Sequence, residues 1–240
     1  MLKMLEAIFQ GKVATEKIHI TGEKRMRGEI VRTSGECDLE ACAKACPVKC
    51  FTIEDGKPVI DYKKCLFCGR CVEAAAGQGL QHSNKEVLAE FLTETQAKIS
   101  EEVKATLGRS LHVRHLDAGS CNACDFEMGA LSNPIYDLHR YGIAFVASPR
   151  HADMVMVTGV VTRNLEQAVR MTYEALPEPR LVMACGACAA GGETYGDTYA
   201  IVGKVSDVIP VDIAVPGCPP RPSAMIVALC AAADMLKEKF

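Results

Sequence analysis

Thirteen cysteines in 240 residues restrict what this chain can become more than any other feature of its sequence. They are gathered, not scattered, at 37–50, 65–71, 121–124 and 185–188, with Cys218 and Cys230 beyond. No secretory or twin-arginine signal opens the sequence, so a disulfide framework is not the expected use of these thiols. Soft thiolates in groups select iron–sulfur clusters or zinc. The apolar content of 49% is enough for a real core, and a net charge of −3 without a basic block argues against nucleic acid as a partner. The longest apolar run, Ala224 to Leu236, is interrupted by Asp234 and is too short to span a bilayer. The expected location is cytoplasmic, on its own or peripheral to a membrane.

The stretch Gly119-Ser120-Cys121-Asn122-Ala123-Cys124-Asp125-Phe126-Glu127 organises the second half of the chain. Before it, Leu111 to Leu116 alternates apolar with polar and predicts a strand. After it, Phe126, Met128, Ala130 and Leu131 fit a short helix. The cysteines therefore stand at the C-terminal end of a strand, the usual site edge of an open α/β sheet. Taken alone, this Cys-x-x-Cys suits a redox dithiol, half a zinc site or half an iron–sulfur site.

Cys65-x-x-Cys68-x-x-Cys71 is more specific. Two-residue spacing lets three thiolates wrap one face of a cubane, and it is awkward for tetrahedral zinc. In bacterial ferredoxins the fourth ligand is a remote cysteine followed by proline, which Cys46-Pro47 supplies. Thr52-Ile53-Glu54 and Pro58-Val59-Ile60 flank Asp55-Gly56, a hairpin signal. Residues 30–82 thus resemble a bacterial two-cluster ferredoxin domain, with a 4Fe–4S cluster expected on Cys46, Cys65, Cys68 and Cys71. The second cluster of that pattern is degraded. Cys42 is in register, but Leu39, Glu36 and Ala75 occupy the other ligand positions. Cys37, Cys42 and Cys50 remain as candidates for a rebuilt third site, and one cluster in this domain is the expectation.

Residues 1–10 predict an amphipathic docking helix. In 83–108, Val87, Leu88, Phe91, Leu92, Ile99, Val103 and Leu107 recur at helical spacing and predict one or two linker helices. From 109 onward strand and helix alternate. Residues 143–147, 154–158, 181–184 and 211–215 predict buried strands, 165–176 and 224–236 helices. This is the pattern of a doubly wound parallel sheet. The expected architecture is α/β, with a ferredoxin-like domain (1–82), a helical linker (83–108) and a flavodoxin-like domain (109–240).

Four motifs in order then resemble one superfamily: Arg109 to Arg114; Gly119 to Glu127; Cys188-Ala189-Ala190-Gly191-Gly192; and Pro216-Gly217-Cys218-Pro219-Pro220-Arg221-Pro222. It is that of the NiFe-hydrogenase small subunit and the 20 kDa subunit of NADH:quinone oxidoreductase. The resemblance implies a flavodoxin-like fold holding a proximal 4Fe–4S cluster on Cys121, Cys124, Cys188 and Cys218 against a large catalytic subunit. Cys185 is then an extra thiol near the cluster and Cys230 a core residue. Glu127, placed in the first turn of the helix after Cys124, is a candidate for proton-coupled or electrostatic work. Arg221 is a second electrostatic candidate, while His112 and His115 are expected to pack. Cys-x-x-Cys at the first motif is similar to the hydrogenase branch, where quinone-branch members carry adjacent cysteines. The implied function is electron transfer between the NiFe site of a hydrogenase-like large subunit and ferredoxin or another redox protein, in a membrane-associated complex on the cytoplasmic face. The alternative is a homologous complex I-like quinone or ferredoxin oxidoreductase without hydrogenase activity.

Overall fold

The computed structural model describes residues 27–85, 90–91 and 110–233. The helix expected over 1–10, most of the 83–108 linker and the end of the last helix lie outside them.

The N-terminal unit contains β1 (Ile30–Arg32), α1 (Leu39–Lys44), β2 (Phe51–Glu54), β3 (Lys57–Ile60), α2 (Arg70–Ala74) and β4 (Leu80–His82). They form two antiparallel ribbons, β1 with β4 and β2 with β3. The second ribbon is the hairpin expected at Asp55-Gly56. Both turn residues have positive φ, +48° and +71°, as a two-residue turn matched to strand twist requires. Helix α1 begins where the Asp38 carboxylate accepts N–H bonds from Glu40 (2.9 Å) and Ala41 (3.1 Å). Cys37 and Cys42 flank that cap at the positions a hydrophobic staple joins, and their side chains are hydrogen-bonded. Cys42, Phe51, Ala75 and Leu80 form the small core beside them.

The linker prediction is corrected at one point. Glu90–Phe91 is not helical but forms a short strand, β5. It pairs antiparallel with β12 (Ile213–Val215), Phe91 lying opposite Ile213. An open sheet edge offers unpaired backbone N–H and C=O groups, and satisfying them outweighs the helical spacing of the apolar residues.

The C-terminal unit follows with β6 (Leu111–Asp117), α3 (Ala123–Ala130), β7 (Ile143–Phe145), β8 (Met154–Thr158), β9 (Val161–Thr162), α4 (Arg163–Ala175), β10 (Leu181–Cys185), α5 (Ala187–Gly191), β11 (Ile201–Gly203), β12 and α6 (Pro222–Ala232). The sheet order is β5-β12-β10-β8-β6-β7. All its pairings except β5–β12 are parallel. The five parallel strands, numbered in chain order, run 2-1-3-4-5 across the sheet, the flavodoxin-like order. Strand β8 shows how the sheet is covered on both faces. Met154 and Met156 face a core that includes α6, while Val155 and Val157 face a second core that includes Val169 of α4. Every residue of β8 and β10 is buried, which explains a sequence that is apolar apart from Thr158 at the end of β8. The ribbon β9–β11 has no counterpart in the sequence prediction. Cys230 lies in the first of these cores.

The two units touch. Lys64 Nζ and Glu193 Oε1 form an ion pair at 3.0 Å. Gly191 meets the Lys63–Lys64 backbone so closely that a Cβ there would stand 2.9 Å from the Lys63 carbonyl oxygen.

Candidate metal centres

In the C-terminal unit the loops after β6, β10 and β12 open on one sheet edge. Cys121 and Cys124 come from the first, Cys188 from the start of α5 after the second, and Cys218 from the third. Cys121, Cys124 and Cys188 all act electrostatically on Cys218. The loops thus bring the four expected ligands within electrostatic range of one another, while among the described residues no three metal-ligating side chains stand close enough to hold an ion. Cys124 and Cys188 are buried, whereas Cys121 and Cys218 are exposed. Burial is the main cause that pushes the Cys188 thiol above its ordinary value. Gly186 permits this crowding. It has φ +92°, and a Cβ there would stand 2.7 Å from Cys124 Sγ.

Cys185 is the last residue of β10 and fully buried. Its side chain is hydrogen-bonded to Cys124. That bond is the largest cause lowering the Cys124 pKa and raising that of Cys185, whose burial raises it further. Cys185 thus sits behind the ligand set as a neutral thiol.

The structure corrects the placement of acidic groups near these ligands. Helix α3 begins at Ala123, so Asp125, not Glu127, is the acid in its first turn. Glu127 lies further along, half-buried. Asp125 joins a polar network that the sequence reading missed. The fully buried Thr158 hydroxyl donates to Asp125 Oδ1 at 3.0 Å. His115 Nε2 lies 2.9 Å from Thr158 Oγ1 and 3.1 Å from Asp125 Oδ1, so that nitrogen carries the hydrogen. Ser120 Oγ stands between Asp125 Oδ2 (2.9 Å) and Asp117 Oδ2 (3.0 Å). Asp117 Oδ1 also accepts from the N–H groups of Gly119 and Ser120. His115 was expected to pack. Instead it ties the ends of β6 and β8 to the Cys121–Cys124 loop. Burial is the main influence on its pKa and lowers it, against the pull of Asp125 and Asp117. Alternation on β6 signalled that His115 and Asp117 share a face, but their partner Thr158 comes from a different strand.

Two further groups reach the sulfurs. Thr194 is hydrogen-bonded to Cys188 and Tyr195 to Cys121. Both follow α5 in a stretch without a motif. His112 pairs with Asp153, Nδ1 to Oδ2 at 3.4 Å, away from the thiols. Arg221 precedes Pro222 at the start of α6.

In the N-terminal unit Cys46, Cys65, Cys68 and Cys71 line one cavity, and Cys50 lines it with them. Cys50 does not join Cys37 and Cys42, which belong to the neighbouring apolar core. The trio considered for a third site is not brought together. Cys65 is pulled down to about 7, first by its hydrogen bond with Cys50. Cys71 is pushed up to about 11, first by burial. His82 lines the same cavity. Its Nδ1 donates to the Gly28 carbonyl at 3.1 Å, while Nε2 is buried with no hydrogen-bond partner. An orphaned buried nitrogen beside five thiols fits a site built around a bound group.

A second cavity, of about 160 Å³, lies between the units. Leu66 and Phe67, between two cysteines of the first site, line one side. Cys218, Pro219 and Arg221 line the other.

The family model for the 20 kDa subunit of NADH ubiquinone oxidoreductase matches residues 121–232. A probable membrane-bound hydrogenase subunit, mbhJ, of Pyrococcus furiosus is 44% identical over 132 residues, covering 55% of this chain and 79% of that protein. The chain belongs to the NADH ubiquinone oxidoreductase 20 kDa subunit family. Formate hydrogenlyase subunit 7 of Escherichia coli is 35% identical over 151 residues, 63% of this chain and 58% of that protein. Among solved structures, a chain of the archaeal membrane-bound sulfane sulfur reductase is 33% identical with a TM-score of 0.49, covering 58% of this chain and 76% of that one. The family match begins at Cys121 and takes in Cys124, Cys188 and Cys218. The ferredoxin-like unit lies outside it. No helix among the described residues is long and apolar enough to cross a membrane.

Proposed function

We propose that this protein is the electron-transfer subunit of a multisubunit energy-converting NiFe hydrogenase, with 4Fe–4S clusters on Cys121, Cys124, Cys188 and Cys218 and on Cys46, Cys65, Cys68 and Cys71. The observation that carries this reading is the convergence of four thiols from three strand-end loops on one sheet edge, in a chain similar to hydrogenase subunits. Such clusters, when bound, accept and release one electron at a time.

The chain's own residues prepare both places. Cys124 and Cys188 sit buried among glycine-relieved backbone, and Thr194 and Tyr195 direct hydroxyls at the ligand sulfurs. Hydrogen bonds to sulfur and exclusion of water are the levers by which a protein sets cluster potential. The inter-unit cavity is lined by Leu66 and Phe67, which also line the N-terminal cavity, and by Cys218 and Pro219 from the other unit. That placement supports relay within one chain, between a ferredoxin-type redox partner and a large subunit carrying nickel. Phe126, 81% exposed beside Cys124, and the exposed Cys121 and Cys218 support a partner surface covering this edge. We place the subunit peripherally on the cytoplasmic face of a membrane.

Metal analysis of the native complex tests the reading. Nickel together with iron supports it, and iron without nickel rejects it. The second reading, a complex I-like oxidoreductase without hydrogenase activity, is favoured by the family match itself. It predicts the nickel-free result.

A further inference from the structure

Cys185 has no part in the ligand set proposed for the C-terminal unit, yet the fold holds it firmly against one member of that set. It ends β10 and lies opposite Thr158 of β8 on one side and Val215 of β12 on the other. The Gly186 N–H bonds the Val215 carbonyl and the Ala187 N–H bonds the Gly217 carbonyl, both at 2.8 Å. The chain is thus fixed on either side of the turn that follows Cys185. A Cβ on Gly186 would stand 2.7 Å from Cys124 Sγ, so the Cys124 sulfur rests on this turn. The Cys185 side chain reaches it with a hydrogen bond.

The direction of that bond follows from chemistry. A cysteine sulfur bound to iron has lost its proton and can only accept. Cys185 must therefore donate. Its surroundings keep it able to do so. It is 0% exposed in an apolar core with Met183, Val215 and Ala224, and burial, the Cys124 sulfur and the Asp125 charge all oppose its ionisation. Thr194 and Tyr195 also reach ligand sulfurs, but Thr194 is half-buried and Tyr195 is 46% exposed. Water or a covering partner can replace those hydroxyls as donors. Water cannot replace Cys185.

We infer that Cys185 is a positioning residue for the proximal cluster, whose reduction potential it raises through a water-free S–H···S bond to Cys124. The inference rests on the functional reading above, which places that cluster. Reduction adds one electron and puts more negative charge on the ligand sulfurs. A hydrogen bond to a more charged acceptor is stronger, so the donor stabilises the reduced state more than the oxidised one. Cys185 keeps its proton in both states, and the electron comes from the redox partner.

The test uses the full chain, purified anaerobically with its partner subunits. The proximal EPR signal is followed through a redox titration, with the N-terminal cluster signal as internal control. Cys185→Ala and Cys185→Ser are close in volume and differ by one hydroxyl. At the midpoint of the unsubstituted protein, Cys185→Ala is expected to lower the reduced-to-oxidised ratio of the proximal cluster about threefold, as loss of one modest hydrogen bond would. Cys185→Ser is expected to restore most of that ratio. The N-terminal cluster should titrate unchanged in both.

A second measurement needs no variant. After brief transfer to D2O, proton ENDOR on the reduced proximal cluster should retain a coupled proton that disappears only on long incubation, because the Cys185 proton is shielded from solvent. Absence of such a proton would overturn the inference. An unshifted potential in Cys185→Ala would overturn it as well, and so would an equal shift in Cys185→Ser, which would trace the effect to packing. Loss of the proximal irons in Cys185→Ala would assign Cys185 to holding the cluster instead of setting its potential. No proximal signal in the unsubstituted protein would remove the functional reading together with this one; a proximal signal with no shift removes this one alone.

Discussion

In the N-terminal unit the thiols come from two short local segments, the turn Cys46–Cys50 and the loop Cys65–Cys71. In the C-terminal unit they come from three loops, each fixed at the end of a different parallel strand. Each site also carries one thiol beyond four. Cys50 touches Cys46 within the cavity, whereas Cys185 closes a strand and donates from behind Cys124. Local assembly leaves a fifth sulfur lining the same cavity. Assembly from a sheet edge does not, because β10 pairs with both β8 and β12 and its last residue cannot slide past Cys124. The comparison shows that a surplus cysteine's position follows from how its backbone is held.

The largest effect expected from this contrast is loss of a whole cluster. Cys121→Ser, Cys124→Ser, Cys188→Ser and Cys218→Ser should each remove the proximal EPR signal and about four irons per chain. Cys185→Ser should retain both. A cluster lost in Cys185→Ser and kept in Cys188→Ser would reverse the roles assigned at β10 and break the comparison.

Gly186→Ala probes the same rigidity without removing a sulfur. The new Cβ meets Cys124 Sγ at 2.7 Å, on a backbone at φ +92° and ψ 159°. That conformation costs a non-glycine residue about 1–3 kcal/mol. Proximal iron should fall while the N-terminal cluster signal is unchanged. Full proximal loading in this variant would show that the sheet edge gives way more than its pairing implies.

The third expectation is a pH dependence carried by the His115 network on the C-terminal side. Burial keeps His115 below the ordinary histidine value of about 6.5. The unfolded chain therefore takes up this proton first as pH falls. Stability linked to His115 is complete above about 6.5 and is lost as pH falls from there through the folded value. Asp117 acts in a lower window. Burial raises its pKa, but its bonds from Gly119, Ser120 and the Ser120 hydroxyl together lower it more. Its contribution is present above about 3.9 and lost as pH falls through the lower folded value. Thermal unfolding of His115→Gln across pH should lose the upper window and keep the lower. An unchanged profile would mean that the His115–Thr158–Asp125 contacts contribute nothing.

The smallest effect is at the junction of the two units. The Lys64–Glu193 pair is partly exposed, so Glu193→Gln should cost about 0.2–1 kcal/mol and less at high salt. Electron exchange between the two clusters should be little changed, since Gly191 and the Lys63–Lys64 backbone also hold the contact.

Spacing along the chain was enough to group the cysteines, because ligand runs such as Cys65-x-x-Cys68-x-x-Cys71 and turns such as Asp55-Gly56 are local and their geometry follows from a few dihedral angles. Strands β8 and β10 were legible for a related reason, since a strand buried on both faces carries few polar positions to interrupt it, here Thr158 at the end of β8. Three-dimensional pairing alone decided the rest. Glu90–Phe91 carries a helical pattern, yet the unpaired edge of β12 makes it a strand. Glu127 was the more prominent acid near Cys124, yet the start of α3 at Ala123 turns Asp125 toward Thr158 and His115. Cys50 was grouped with Cys37 and Cys42, yet the left-handed step at Lys49 returns it to Cys46. In each case the deciding partner is remote in sequence or set by one backbone angle, and neither composition nor periodicity encodes such a contact.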